Sequence, residues 1–242
     1  MKFGIVTFPG SNCDYDAFCA VRDQLQQPAE FLWHGDSDLK NCDLVILPGG
    51  FAYGDYLRAG AIARFSPVMQ SVIEFAQAGG LVWGICNGFQ VLLEAGLLPG
   101  AMLRNRSLRF SCRQVYLKTE TTNSPYTKSV QLGAVLKIPI AHSEGNYYAA
   151  EEILNELEAT DRIAFRYCGP NGEFADEHNP NGSARNIAGI LNEGRNVLGM
   201  MPHPERAVEE VLGSTDGCRL FESVVGAFTD AKTGIHIRAN VA

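Results

Sequence analysis

Short apolar runs and amphipathic stretches alternate along the first hundred residues. "KFGIVTF" (2–8), "AEFLWH" (29–34), "CDLVILPGG" (42–50) and "LVWGIC" (81–86) are rich in Ile, Val and Leu, and most end at Gly or Pro. Runs of this kind are predicted as strands, the uninterrupted ones buried on both faces. Residues 14–27 place Ala17, Ala20, Val21 and Leu25 at helical spacing, and "PVMQSVIEFAQAGG" (67–80) predicts a helix starting at Pro67 after Ser66 and stopping at Gly79. Strands alternating with helices predict an α/β fold: a mainly parallel sheet, mixed and open, with helices on both faces.

The pattern changes beyond Gly100. "CRQVYLKTE" (112–120) alternates polar and apolar positions, "TNSPYT" (122–127) has turn chemistry, and "GAVLKIPIAH" (133–142) follows as another strand, which predicts an antiparallel extension of the sheet. "NIAGILN", "EGRN" and "VLGMMP" (186–202) predict a hairpin. A last helix is expected over about 216–230, capped by Ser214, Thr215 or Asp216. No repeat, low-complexity segment or linker divides the chain, so one domain over 1–242 is expected.

Composition narrows the function classes. With 20 basic against 27 acidic residues the net charge is −7, which opposes nucleic acid and anionic membranes. The one basic cluster, "RNRSLRF" (104–110), carries three arginines and fits a solvated face. The start of the chain reads as a strand rather than a signal peptide, and no apolar run approaches the ~20 residues of a membrane span. Seven cysteines (13, 19, 42, 86, 112, 168 and 218) without a CxxC pair speak against zinc and disulfide scaffolds. Scattered thiols suit a reducing compartment, and a cytoplasmic location is expected.

One cysteine stands out. "GICNG" (84–88) sets Cys86 between Gly84 and Gly88, where a strand turns into the helix "NGFQVLLEAG" (87–96). A nucleophile on a sharp strand-to-helix turn needs small neighbours two positions either side. The helix start stabilises negative charge on sulfur, and the Asn87 N–H is placed to meet an oxyanion. A cysteine nucleophile needs a base. His203, between two prolines in "MMPHPER", is biased to an extended conformation, which would put Glu205 on the same side of the chain as its orienting partner. "AHSEG" gives His142 and Glu144 the same offset, so His142 is a rival. The glycine-rich loop "LPGGFAYGDYLRAGA" (47–61) is the expected source of a second oxyanion N–H.

Taken together, "PGGFAYGDYLRAGA", "GICNGFQVLLEAGLLPGA", "AHSEGNY", "NPNGS" and "VLGMMPHPER" resemble the class I glutamine amidotransferases. Within them, the closest resemblance is to the glutaminase subunits of phosphoribosylformylglycinamidine synthase, and it covers residues 1 to about 230. It implies a flavodoxin-like fold, Cys86, His203 and Glu205 as a catalytic triad, Gly50 and Asn87 as oxyanion donors, and Gln90 in glutamine binding, and it sets His142 outside the triad. The substrate implied is L-glutamine, with ammonia passed to a large synthase subunit accompanied by a small accessory subunit. No metal or cofactor is implied for this chain. The sequence has no GxxxxGK[ST] loop, so ATP and magnesium are expected on the partner. Arg206 and "HSEGNY" are open to either a partner-facing or a packing role. The competing readings are another cysteine hydrolase of the same scaffold, and a decayed binding module, which would have lost a triad member. The last residues, "KTGIHIRANVA" (232–242), carry no signal.

Overall fold

A computed structural model describes residues 1–233; most of the C-terminal segment lies outside the described residues. Strands β1 (Phe3–Thr7), β2 (Ala29–Trp33), β3 (Leu44–Leu47) and β4 (Leu81–Ile85) form where the apolar runs predict them. They join β6 (Ser111–Thr119), β7 (Val135–His142), β9 (Ile163–Cys168), β10 (Ile187–Leu191) and β11 (Val197–Met200) in one nine-stranded sheet, ordered β2-β1-β3-β4-β11-β10-β9-β6-β7. The pairs from β2 to β11 are parallel, and those from β11 to β7 are antiparallel. Only β10 and β6 run against the rest, so the sheet is mainly parallel and mixed. The predicted hairpin is β10–β11, and the antiparallel extension includes β6 and β7. Alternate residues of β7 are buried, as a sheet with one covered face requires.

Helices α1 (Asp14–Cys19) and α2 (Pro67–Gln77) connect β1 to β2 and β3 to β4. Strand order reverses at β1, so right-handed crossovers set these helices on opposite faces and open a crevice at the carboxyl ends of β1 and β3. The predicted helix over 14–27 is shorter than its spacing suggests. After Cys19 it widens into a π-helical turn, Ala20–Gln24, closed by the Leu25 N–H on the Ala20 carbonyl at 3.2 Å. Ser66 precedes Pro67 as expected but does not cap α2: its hydroxyl faces the Tyr53 hydroxyl at 2.9 Å, and the Val68 N–H goes to the His34 carbonyl.

Helix α3 (Asn87–Glu94) leaves β4 directly and is buried along nearly its whole length. A small two-stranded sheet, β5 (Ala101–Leu103) with β8 (Asn146–Tyr148), and the surface helix α4 (Glu151–Ala159) were not anticipated, nor was β9. Only Leu154 and Leu157 of α4 are buried, which is too narrow a stripe to mark a helix by periodicity. The last helix, α5 (Asp216–Thr233), begins two residues after Ser214, whose hydroxyl accepts the Asp216 N–H at 3.1 Å. It seals one end of the core through Phe221, which lies 4.8 Å from the ring of Trp83; Tyr126 packs on the same indole at 5.4 Å. All three are fully buried, so Phe221→Ala should cost about 3–5 kcal/mol of unfolding free energy. Denaturant titration reads this directly, and a loss below about 1 kcal/mol would contradict the docking of α5 described here.

Candidate active site

Cys86 links β4 to α3 with φ 51° and ψ −106°, a backbone conformation that L-residues avoid. The strain is held from several sides. The Cys86 N–H donates to the Met200 carbonyl at 2.8 Å, and its carbonyl accepts from Gln90 N–H at 3.2 Å. The two flanking glycines are required by space: a Cβ on Gly88 would collide with the Leu47 carbonyl, and one on Gly84 with Leu92 and with the Gly88 backbone. The thiol is buried, faces the Ala141 carbonyl of β7 at 3.8 Å and lies close to His203.

His203 follows β11 and Glu205 follows it within two residues, although not by the geometry its prolines suggest. His203 itself has φ −102° and ψ 88°, and the chain then coils into a 3-10 turn at Pro204–Arg206. That turn, rather than an extended run, brings the Glu205 carboxylate to His203 Nδ1 at 2.6 Å. Both side chains are almost fully buried (1% and 2% exposed), and Nε2 of His203 has no hydrogen-bond partner among the described residues. Burial alone would pull the imidazolium towards neutrality; the Glu205 carboxylate, with Cys86 close by, overrides it and holds His203 well above its ordinary range. The geometry therefore provides a thiol, an imidazole with a free nitrogen, and a carboxylate that orients it. His142 is placed differently from the rival reading: its Nδ1 pairs with Asn105 at 3.1 Å rather than with Glu144, and burial and nearby His203 push it down to about 4.

Gly50 ends the loop after β3 at φ 141°, with no room for a Cβ beside the backbone of Ser11 and Asn12. No described acceptor takes its N–H, and Asn87, as the first residue of α3, has no carbonyl a turn behind it. Both donors thus remain free beside the nucleophile. The Asn87 side chain also organises the loop: its Oδ1 accepts Ala52 N–H at 3.0 Å and its Nδ2 donates to Gln90 Oε1 at 2.9 Å and Asp55 Oδ1 at 3.3 Å. Gln90 in turn donates to the Glu144 carbonyl at 2.6 Å. A narrow cleft at Cys86 is lined by Gly50, Asp55, Gln90, Ser143 and Glu144 among others.

Three neighbours of the site, Cys13, Tyr167 and Asp55, are given no role by the sequence, and Arg206 turns out to pack inward. Cys13, after β1, lies behind His203, and Arg206 turns inward to reach it at 3.2 Å while pairing with Asp16 at 2.8 Å. Donor atoms of Cys13, His203 and Glu205 lie within 4.8 Å of one another, a set that could ligate a cation, but the arginine on the sulfur opposes one. Tyr167 on β9 is buried, its phenol kept neutral by burial and by nearby Cys86, and Asn181 of "NPNGS" donates to it at 3.2 Å. Asp55, at the mouth of the cleft, is the third. Both Cys13, in the loop after β1, and Tyr167, next to last in β9, lie at carboxyl ends of strands that run the same way; β9 was not anticipated, so only Cys13 could have been marked by that position.

Asp55 allows a test by pH. Burial, then the Glu144 carboxylate, raises it to about 6 against 3.8 in the unfolded chain. The folded form therefore holds its proton more tightly, and ionising Asp55 lowers stability as pH rises from about 4 to about 6. Asp55→Asn should raise the unfolding midpoint at pH 7.5, by an amount that shrinks as pH approaches 4. A gain independent of pH would contradict the assignment.

Residues 1–224 match the family of CobB/CobQ-like glutamine amidotransferase domains. The chain is 61% identical over 227 residues to the phosphoribosylformylglycinamidine synthase subunit PurQ of Koribacter versatilis, covering 94% of this chain and 98% of that protein. It is 59% identical to the subunit of the same name from Moorella thermoacetica, covering 93% and 95%. Among solved structures, that of PurLQS from Thermotoga maritima superposes with TM-score 0.83 at 40% identity, covering 94% of this chain and 98% of the matched one. By sequence, by fold and by the elbow, this chain belongs to the CobB/CobQ-like glutamine amidotransferase family.

Proposed function

We propose that the chain is the glutaminase subunit of a phosphoribosylformylglycinamidine synthase, hydrolysing L-glutamine to glutamate and ammonia. The observation that carries this reading is the strained Cys86 elbow, with the buried His203–Glu205 pair beside it. The Cys86 thiolate attacks the side-chain amide carbon of glutamine. The carbonyl electron pair moves to oxygen, and the Gly50 and Asn87 N–H groups hold that oxyanion. As the intermediate collapses, the C–N bond breaks and His203 gives its proton to the departing ammonia. A glutamyl thioester remains. His203, now neutral, takes a proton from water, whose oxygen attacks the thioester, and glutamate leaves as the Cys86–carbon bond breaks. Glu205 keeps the imidazole oriented throughout, and Gln90 helps to hold the substrate.

Ammonia set free in water would be protonated and lost, so it passes to the active site of a large synthase subunit. There ATP, with magnesium, drives conversion of formylglycinamide ribonucleotide to the amidine in purine biosynthesis, and a small accessory subunit completes the complex. This chain itself uses no cofactor and works in the cytoplasm. Its relatives named as synthase subunits along nearly their whole length support the assignment. No helix among the described residues is long and apolar enough to cross a membrane.

The test is glutamate release from L-glutamine by the purified chain, alone and assembled with its synthase partners. Activity should be weak alone, rise on assembly and fall by at least ~10³-fold in Cys86→Ala, while added ammonium still supports amidine synthesis by the variant complex. Glutamine-dependent turnover retained by Cys86→Ala would refute the proposal.

A further inference from the structure

The basic cluster "RNRSLRF" finds a use that its charge does not suggest. From Leu103 to Phe110 every residue is exposed except Asn105, which is wholly buried. A polar side chain buried within an exposed loop needs partners, and Asn105 has a complete set. Its Nδ2 donates to the carbonyls of His142 at 2.9 Å and Arg109 at 2.8 Å. Its Oδ1 accepts from Gly145 N–H at 3.0 Å and from His142 Nδ1 at 3.1 Å. Its own N–H donates to the Ser143 carbonyl at 2.8 Å.

All of these bonds but one end on the turn 142–145, and that turn is a wall of the cleft at Cys86. The preceding residue, Ala141, offers the carbonyl nearest the thiol, and Glu144 offers the one that Gln90 holds. The bonding pattern also fixes the tautomer of His142: Nδ1 carries the proton, so Nε2 is an acceptor, buried and without a donor among the described residues. Nothing else among the described side chains reaches the backbone of this turn except Gln90. Next to Asn105, the Arg106 N–H is tied to the Asn181 carbonyl at 2.8 Å, so the same loop is anchored to "NPNGS" as well.

We infer that Asn105 is a positioning residue for glutamine: it clamps the exposed 103–110 loop to the 142–145 turn and so sets the cleft wall against which the substrate lies. The inference rests on the glutaminase reading of the site. Asn105 touches neither the thiol nor the His203–Glu205 pair, so it acts on where glutamine binds and not on the bond-breaking steps.

The experiment uses the assembled complex with Asn105→Asp and Asn105→Ala. The aspartate keeps the size and the accepting oxygen but sets a second oxygen against two carbonyls. In either variant KM for glutamine should rise roughly tenfold or more, with kcat at saturating glutamine falling less than about threefold and ammonia-dependent synthesis unchanged. Unchanged KM in a folded variant, or a loss confined to kcat, overturns the role. Failure of both variants to fold makes Asn105 a residue of stability and overturns it too. A wild-type complex without glutamine-dependent turnover refutes the glutaminase reading itself, whereas wild-type turnover with unchanged KM in the variants refutes only the role of Asn105.

Discussion

The site depends on one close backbone approach. Helix α3 sits so near the end of β3 that Gly88 abuts the Leu47 carbonyl, and no side chain fits between them. That approach turns the chain sharply after β4 and holds Cys86 at positive φ. It also leaves the Asn87 N–H free at the helix start and brings the Asn87 side chain under Ala52, two residues beyond Gly50. The cost of the strained residue, on the order of 1–3 kcal/mol, is met by a surround in which nearly all of α3 is buried.

The second half of the site is electrostatic. Burying a histidine beside a carboxylate is unfavourable for either charge alone, and here each supplies the other's counter-charge. The result is an imidazole that stays protonated when burial would discharge it. His142, equally buried but paired with a neutral amide, goes the other way and is held neutral. Two histidines in one small volume thus acquire opposite characters from their neighbours alone.

Much of this was legible in the residues, and the reasons differ from element to element. Gly84, Cys86 and Gly88 announce the elbow because steric exclusion acts over two positions of chain. Strands β1, β3 and β4 announce themselves because they are buried on both faces, whereas the edge strand β2 buries only Leu32. Glu205 was assigned to the right histidine from an extended geometry that does not occur; proximity in sequence sufficed, and the 3-10 turn did the rest. What stayed hidden depends on contacts distant in sequence. Asn105 meets the turn at 142–145, Cys13 meets His203, and Tyr167 meets Asn181, and no local pattern records such meetings. Helix α4 was missed for a different reason, since it buries too little to leave a periodic trace.

The central claim is that Cys86, alone of the seven cysteines, is the nucleophile towards glutamine. The most direct measurement is to treat the chain with a glutamine-mimicking electrophile, a diazo-oxo-norleucine, and locate the adduct by peptide mass spectrometry. A single adduct on the Cys86 peptide, formed more slowly when glutamine is present, is the result this account predicts. Modification of any other cysteine in place of Cys86, or an adduct on Cys86 whose rate ignores glutamine, would contradict it.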